Sequence, residues 1–404
     1  MTLLAPPRPL EHQIDDGVIE EARRRQRRRR FALAGATLVA VFVALGAFLA
    51  ARGGGATRHA SPPTRPPEPL PRLAGPALTG RTHLQIVAAG NWGSPFIFDV
   101  DRGSIRVLPG LGRPLAAVPG GALTEASRQT CAGCAFSETF YVVGLGGAAR
   151  RVAALATRGG DNTVAAASAA AVWVLAWPHR GPCTLRLVPG TRPPVRVPCG
   201  GLAAATSAGV WIATARHWAI VDPLSGRIVA QLGVTPSANP AFLPGDQLFA
   251  LHGDLALENS GPQVGGLSGT QAGTLRLVNL ISGHRRRLAW PSYFGDIIRV
   301  VPEPHGPLVA VDFGSPAYPG PAQAEDIWML DTTTATFTHL PEYPAQVDIK
   351  FSSVRWTSDD RLVIVAQGGG RTVLGVWKPG QATLPLRGLP NRASGYYSSV
   401  PLVG

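Results

Sequence analysis

Two hydrophobic patterns divide this chain. From Phe31 to Ala51 the residues are apolar or small, and none is charged. At about 1.5 Å rise per residue, roughly 20 such residues cross a hydrocarbon core of about 30 Å, so the run predicts one transmembrane α-helix over 31–51. Beyond about Leu84 the pattern becomes short runs of β-branched and aromatic residues, broken by Asp, Asn, Gly or Pro. Pairs of runs flank a turn in FIFDVDRGSIRVL (96–108), TFYVVGLGGAARRVAAL (139–155), TLRLVPGTRPPVRV (184–197) and AIVDPLSGRIVAQL (219–232). The same holds for LRLVNLISGHRRRLAW (275–290), IWMLDTTTATFTHL (327–340) and VLGVWKPGQATLPL (373–386). These turns recur about 33–57 residues apart, close to the repeat of a β-propeller blade.

A further apolar run precedes most hairpins: LQIVAA (84–89), AVWVLAW (171–177), GVWIATA (209–215), QLFALHG (247–253), PLVAVDF (307–313) and RLVIVAQ (361–367). Candidate inner strands are IIRVVP (297–302) and SSVRWTS (352–358). In the unit over 352–380, Trp356-x-x-Asp359-Asp360-Arg361-Leu362 resembles the strand–turn–strand opening of a TolB-like blade. Residues 84–404 resemble the TolB-like and WD40-like β-propellers as architecture. No WD dipeptide recurs, and no family active site can be carried over. The resemblance implies an all-β, seven-bladed β-propeller of four-stranded antiparallel blades, preceded by the single transmembrane helix. Closure of such a ring leaves only short exposed edges. The last residues suit a strand through Tyr396, Tyr397, Val400 and Leu402. They are expected to pair within the first blade as its innermost strand over 395–403.

Charge sets the expected topology. Seven arginines lie between Arg23 and Arg30, directly before the apolar run. The positive-inside rule then puts residues 1–30 in the cytoplasm, with Arg23 to Arg30 on anionic lipid, and the body outside the plasma membrane. A cleaved signal peptide is the rival reading, but the run is longer than an h-region and no clean A-x-A site closes it. Residues 52–80 read as a Gly/Pro-rich linker and 81–404 as the propeller. The net charge is +13, of which eight arginines less five acids leave +3 in residues 1–30 and +10 beyond them. A basic exported body favours a protein or anionic envelope partner and disfavours nucleic acid.

The propeller frame places candidate residues. Strands A to D run from the axis outward, so A–B and C–D turns share one face and B–C and D–A loops the other. The B–C face gathers Trp92, Trp177, His179, Arg180, Arg216, His217 and Arg371, and the long segments Glu258–Ala272 and Gly314–Ala324. Aromatic and arginine side chains together suit stacking and anion contacts; edge capping by Trp and solvated arginines is the plain alternative. Cys183 and Cys199 flank a hairpin and should pair; Cys131 and Cys134 could close a local loop. Zinc binding by the two pairs, a redox CxxC, or free thiols are the alternatives. His252, Asp254 and Glu258 read as a turn rather than a metal set, and Asp359-Asp360 as a blade turn. No G-x-S-x-G, H-E-x-x-H or phosphate-loop motif occurs, and nothing requires a cofactor or metal. The expectation is a membrane-anchored extracytoplasmic binding or assembly module of the cell envelope. A propeller hydrolase or lyase with its site in the funnel is the alternative.

Overall fold

The structure is a computed structural model. It describes residues 75–404 except 91–93, 130–135, 158–162, 169–170, 177–181, 215–216, 233–246, 261–273, 293–295, 316–322, 344–345, 369–370 and 392–397. The described residues fall within one compact unit, Pro66–Gly404. The expected helix over 31–51 lies outside them, and no helix among them is long and apolar enough to cross a membrane.

Blade 1 begins with β1 (Leu84–Ala89), β2 (Phe96–Asp99) and β3 (Ser104–Val107). Blade 2 is β4 (Arg113–Val118), β5 (Gly121–Gln129), β6 (Phe136–Val143) and β7 (Ala149–Thr157). Blade 3 is β8 (Thr163–Ser168), β9 (Ala171–Ala176), β10 (Cys183–Val188) and β11 (Val195–Val197). Blade 4 is β12 (Gly201–Thr206), β13 (Gly209–Ala213), β14 (Trp218–Val221) and β15 (Ile228–Leu232). Blade 5 is β16 (Gln247–Ala250), β17 (Leu255–Ser260), β18 (Thr274–Asn279) and β19 (Arg285–Leu288). Blade 6 is β20 (Asp296–Pro302), β21 (Leu308–Ser315), β22 (Gln323–Asp331) and β23 (Thr336–His339). Blade 7 is β24 (Gln346–Trp356), β25 (Leu362–Gly368), β26 (Arg371–Trp377) and β27 (Leu386–Leu389). The final strand, β28 (Ser398–Val403), pairs antiparallel with β1 from Leu84↔Val403 to Ala89↔Ser398 and completes blade 1. The expected closure strand is therefore present, in the expected place.

The core shows why the chain forms a ring. Its hydrophobic clusters each straddle two neighbouring blades: 1 and 2, 2 and 3, 3 and 4, 4 and 5, 5 and 6, 6 and 7, and 7 and 1. Side chains alternate across a strand, so Ile86 packs toward blade 7 and Val87 toward blade 2. Likewise Ile364 packs on blade 6, while Val363 and Val365 pack on blade 1. Strands covered on both faces lose the alternation of a half-exposed sheet, which is why LQIVAA and LVIVA read as continuous apolar runs.

Four C–D turns are copies of one device. Asp99, Asp222, Asn279 and Asp331 each accept backbone N–H groups two or three residues on through the side chain. The fifth residue of each turn has positive φ: Gly103 at 66°, Gly226 at 75°, Gly283 at 70° and Ala335 at 54°. Three copies use glycine, which reaches this region freely; Ala335 holds it with a Cβ.

Several details depart from the sequence expectation. QLFALHG contributes the inner strand β16, and the second strand of blade 5 is β17. Glu258 consequently lies in β17 rather than in a loop, buried and paired with Arg276 at 3.2 Å and Arg285 at 3.7 Å. The B–C segment after Asp312 is also shorter than expected, because β21 and β22 extend to Ser315 and from Gln323. On the edge away from β21, strand β22 serves two partners: its far half pairs with β23, and Gln323 and Glu325 pair with Ile349 and Gln346 of β24. Blades 6 and 7 thereby share one continuous sheet. Pro76 to Leu78 lie along β27, with Leu78 N–H donating to Leu386 C=O at 2.8 Å.

Candidate functional site

Most of the expected B–C face lies outside the described residues: Trp92, Trp177, His179, Arg180 and Arg216, and with them Cys131 and Cys134. Two of its members are described. His217 closes a tight loop after β13, its backbone N–H donating to Thr214 Oγ1 at 3.1 Å and its carbonyl accepting from Thr214 N–H and Oγ1. Arg371 is exposed at the start of β26, opposite Gly368. Cys183 and Cys199 form a disulfide, with Cα atoms 5.1 Å apart. Cys183 stands opposite Val197 in the ladder, so Cys199 joins it from just beyond the end of β11.

Among the described residues a dense polar cluster lies under the B–C end of blades 6 and 7. Arg299 on β20 stands opposite Asp312 on β21, with Nη2 3.9 Å from Asp312 Oδ2. Glu325 on β22 is fully buried; it accepts from Tyr343 Oη at 3.2 Å and from Ser352 Oγ of β24. Arg299 Nη2 also donates to Ser352 Oγ at 3.3 Å, linking the acids to the inner strand of blade 7. Asp312 is 1% exposed, and neither of its carboxylate oxygens has a hydrogen-bond partner. Burial pushes its carboxyl well above the usual range; Glu325 and Asp326 push it further up, against the pull of Arg299. Burial, with Glu325 next, likewise pushes the Tyr343 phenol up.

Alternation sends the neighbouring carboxylate the other way. Asp326 accepts from Trp328 Nε1 and His339 Nε2, both at 2.8 Å, and from Ser292 Oγ. Both oxygens of this group have hydrogen-bond partners, so it reads as a structural clamp on blade 6. Neither acid network was visible in the sequence. The signal that could have found the first was an arginine inside each of two apolar strands, IIRVVP and SSVRWTS.

The opposite face carries inter-blade polar clamps. His252 Nε2 lies 3.3 Å from Leu308 C=O, joining blades 5 and 6. His305 Nδ1 lies 3.1 and 3.3 Å from the two Asp360 oxygens, joining blades 6 and 7. Arg361 Nη1 donates to Thr82 C=O at 2.8 Å, joining blade 7 to the start of blade 1. The Asp359-Asp360-Arg361 turn is thus a blade turn, as expected. Glu303 lies buried beside these clamps, accepting from Leu308 N–H; burial raises its carboxyl above its ordinary value, and Asp360 adds to the rise. Among the described residues no group of three or more His, Cys, Asp or Glu converges to hold a metal ion.

No protein-family model matches this chain, and no curated protein does. Similar solved structures include TolB from Acinetobacter baumannii, at 11% identity and TM-score 0.40, over 79% of this chain and 66% of that one. They also include prolyl oligopeptidase B from Galerina marginata, at 9% identity and TM-score 0.48, over 75% of this chain and 48% of that one. Kuenenia stuttgartiensis hydrazine synthase is similar at 13% identity and TM-score 0.41, over 67% of this chain and 77% of that one. The propeller assignment itself stands on the strand pairing and the clusters between blades described above.

Proposed function

We propose that this chain is a membrane-anchored binding or assembly module of the cell envelope. In this reading residues 31–51 span the plasma membrane, Arg23 to Arg30 hold the N-terminus on the cytoplasmic side, and the propeller works outside. The observation that carries the reading is the Cys183–Cys199 disulfide. Disulfides persist in oxidising compartments and are rare where glutathione keeps thiols reduced. An exported body agrees with the basic flank ahead of the apolar run. The partner is expected to be a protein or an anionic envelope component, since the positive charge beyond residue 30 favours acidic surfaces. A hydrolase or lyase reading draws on the Asp312 and Glu325 pair, but both acids are closed off from solvent at 1% and 0% exposure. The binding reading is therefore preferred.

Topology is tested by fusing a reporter active only outside the cytoplasm to Gly404 and one active only inside it to Met1. Activity of each at its stated end is the expected result; activity in the opposite compartments overturns the anchor. Crosslinking in intact cells, followed by identification of the captured chain or polymer, tests the partner.

A further inference from the structure

Large apolar side chains are exposed at few of the described positions, and most of these lie on blades 4 and 5. Leu224, Ile228 and Val229 surround the C–D turn of blade 4, and Ile281 stands on the C–D turn of blade 5. Leu224 is 61% exposed and Ile281 74%. The two are equivalent: each is third in its turn and donates its backbone N–H, to Asp222 Oδ1 and Asn279 Oδ1 respectively. The turn uses that N–H and leaves the side chain free. In the turns that start at Asp99 and Asp331 the third position holds Asp101 and Thr333, so the fold does not ask for an apolar residue there.

The adjoining strand is unusual in the same way. The six other outermost strands each carry an arginine or a histidine, whereas β15, IVAQL, carries neither. Charge is an ordinary means of blunting a sheet edge. Ile228 pairs with Val221 at the turn end of β15, and Val229 is the extra residue of a bulge. The neighbouring turn is close by: Leu280, next to Ile281, packs in the cluster that holds Ala230 of β15. Arginines border these side chains. Arg227 is exposed where the blade 4 turn ends. In blade 5, Leu288 packs toward blade 6, so alternation turns the exposed Arg287 toward blade 4. A second copy docked here would set arginine against arginine, whereas a negatively charged surface complements them.

The chain enters the propeller on this same face. Leu78 N–H donates to Leu386 C=O at the start of β27, just past the C–D turn of blade 7, and β1 leaves the face at Leu84. Residues 52–74 lead there from the apolar run, and at about 3.3–3.6 Å each they reach at most roughly 80 Å. That length lets the face settle on the bilayer.

We propose that the C–D rim of blades 4 and 5 is a membrane-docking surface, on which Leu224, Ile228, Val229 and Ile281 enter the headgroup region of an anionic bilayer and Arg227 and Arg287 meet its lipid phosphates. Separate apolar tips set among arginines suit an interface where hydrocarbon lies beneath negative charge. The proposal rests on the anchor reading and goes beyond it by orienting the propeller, with the B–C face turned away from the membrane toward a partner.

The test uses the full chain with C131S/C134S, one copy per lipid nanodisc, carrying an environment-sensitive fluorophore at I281C or, as control on the equivalent turn of blade 6, at T333C. Discs are made of phosphatidylcholine alone or with phosphatidylglycerol, each with or without brominated lipid as quencher. The expected result is quenching at 281 and little at 333, stronger with phosphatidylglycerol. L224S combined with the label at 281 should lower the docked population about tenfold, the scale of one leucine removed from an apolar environment, without changing the melting temperature. Equal quenching at 281 and 333 overturns the surface, and so does L224S that docks as its parent. Quenching at 281 that is as strong on phosphatidylcholine alone overturns the anionic contact. A spectral shift at 281 that requires two copies per disc and brings no quenching assigns the rim to a second copy and overturns the proposal. A chain that does not enter the discs overturns the anchor, and the docking surface with it; a chain that enters them with 281 unquenched leaves the anchor standing and overturns the docking surface alone.

Discussion

Removing residues 392–404 tests whether the ring is held shut by its C-terminal strand. Strand β28 supplies six ladder positions to β1 and buries Val400 and Leu402 at 1% and 6% exposure against Val87, Ile97 and Val143. Burial of two such side chains contributes about 1.5–3 kcal/mol each, so their loss alone costs roughly 3–6 kcal/mol. A domain holds only about 5–15 kcal/mol in total. The cut also strips cover from Leu84, Ile86, Val87 and Ala88, all at most 1% exposed, and leaves β1 as an open edge. An uncovered apolar edge recruits other chains. The truncated chain should lose on the order of 10 °C in melting temperature, read by tryptophan fluorescence, and scatter light well below the wild-type transition. L402A in the full chain should cost about 2–4 kcal/mol without creating an edge, separating packing from closure. A truncated chain that melts within a degree or two of the full chain, without aggregating, refutes the closure argument.

Ala335→Gly should stabilise the protein by about 1 kcal/mol in urea titration, because the other copies of its turn use glycine at the same positive φ; unchanged or lower stability means that the Ala335 Cβ packs too well to lose. C183S/C199S should lose about 3 kcal/mol for a bond spanning 16 residues, and reducing agent should bring wild type to the same value; equal unfolding midpoints for variant and oxidised wild type would sink this. The folded state binds the Glu303 proton more tightly than the unfolded chain does, so its contribution to stability is present at low pH. It is lost as pH rises from the ordinary 4.5 through the raised folded value. E303Q, which can still accept from Leu308 N–H, should flatten that stretch of the stability–pH profile; superimposable profiles would show that Glu303 does not titrate there.

In blades 1, 3, 4, 6 and 7 the second and third strands were legible because they are buried on both faces and carry long runs of Val, Ile, Leu, Phe and Trp, as in LVIVAQG of β25; in blade 2 the second strand, GALTEASRQ, lacks such a run. The turns were legible because Asp or Asn at the first position and Gly at the fifth recur with a mechanism. The inner strands β4, β8 and β12 were not legible. RPLAAV, TVAAAS and GLAAAT are rich in alanine, a poor strand former, and nothing local marks them as strands. Small residues belong there because seven strands converge on one axis, which is a tertiary constraint. The misplacement in blade 5 has the same origin: QLFA is apolar enough to pass for a second strand, and Glu258 and Asn259 made the real one look like a loop. Glu258 is tolerated there because Arg276 and Arg285 reach it across β18 and β19, a pairing invisible until the register is known.

The polar load is unequal around the ring. Blades 3 and 4 meet through an apolar cluster from Trp173 to Val221, whereas blades 6 and 7 bury Asp312, Glu325 and Ser352, with the half-buried Arg299, beside theirs. Burying an acid with no hydrogen bond, as at Asp312, works against stability and needs compensation. Among the described residues this is also the one blade boundary where the sheet runs on, through the β22 and β24 pairing. The extra ladder adds backbone hydrogen bonds where side-chain polarity subtracts, and fixes Ser352 within reach of both Glu325 and Arg299. A ring under selection for stability alone would use at blades 6 and 7 the packing it uses at blades 3 and 4. It instead holds a charged cluster there, braced by the sheet that β22 and β24 share.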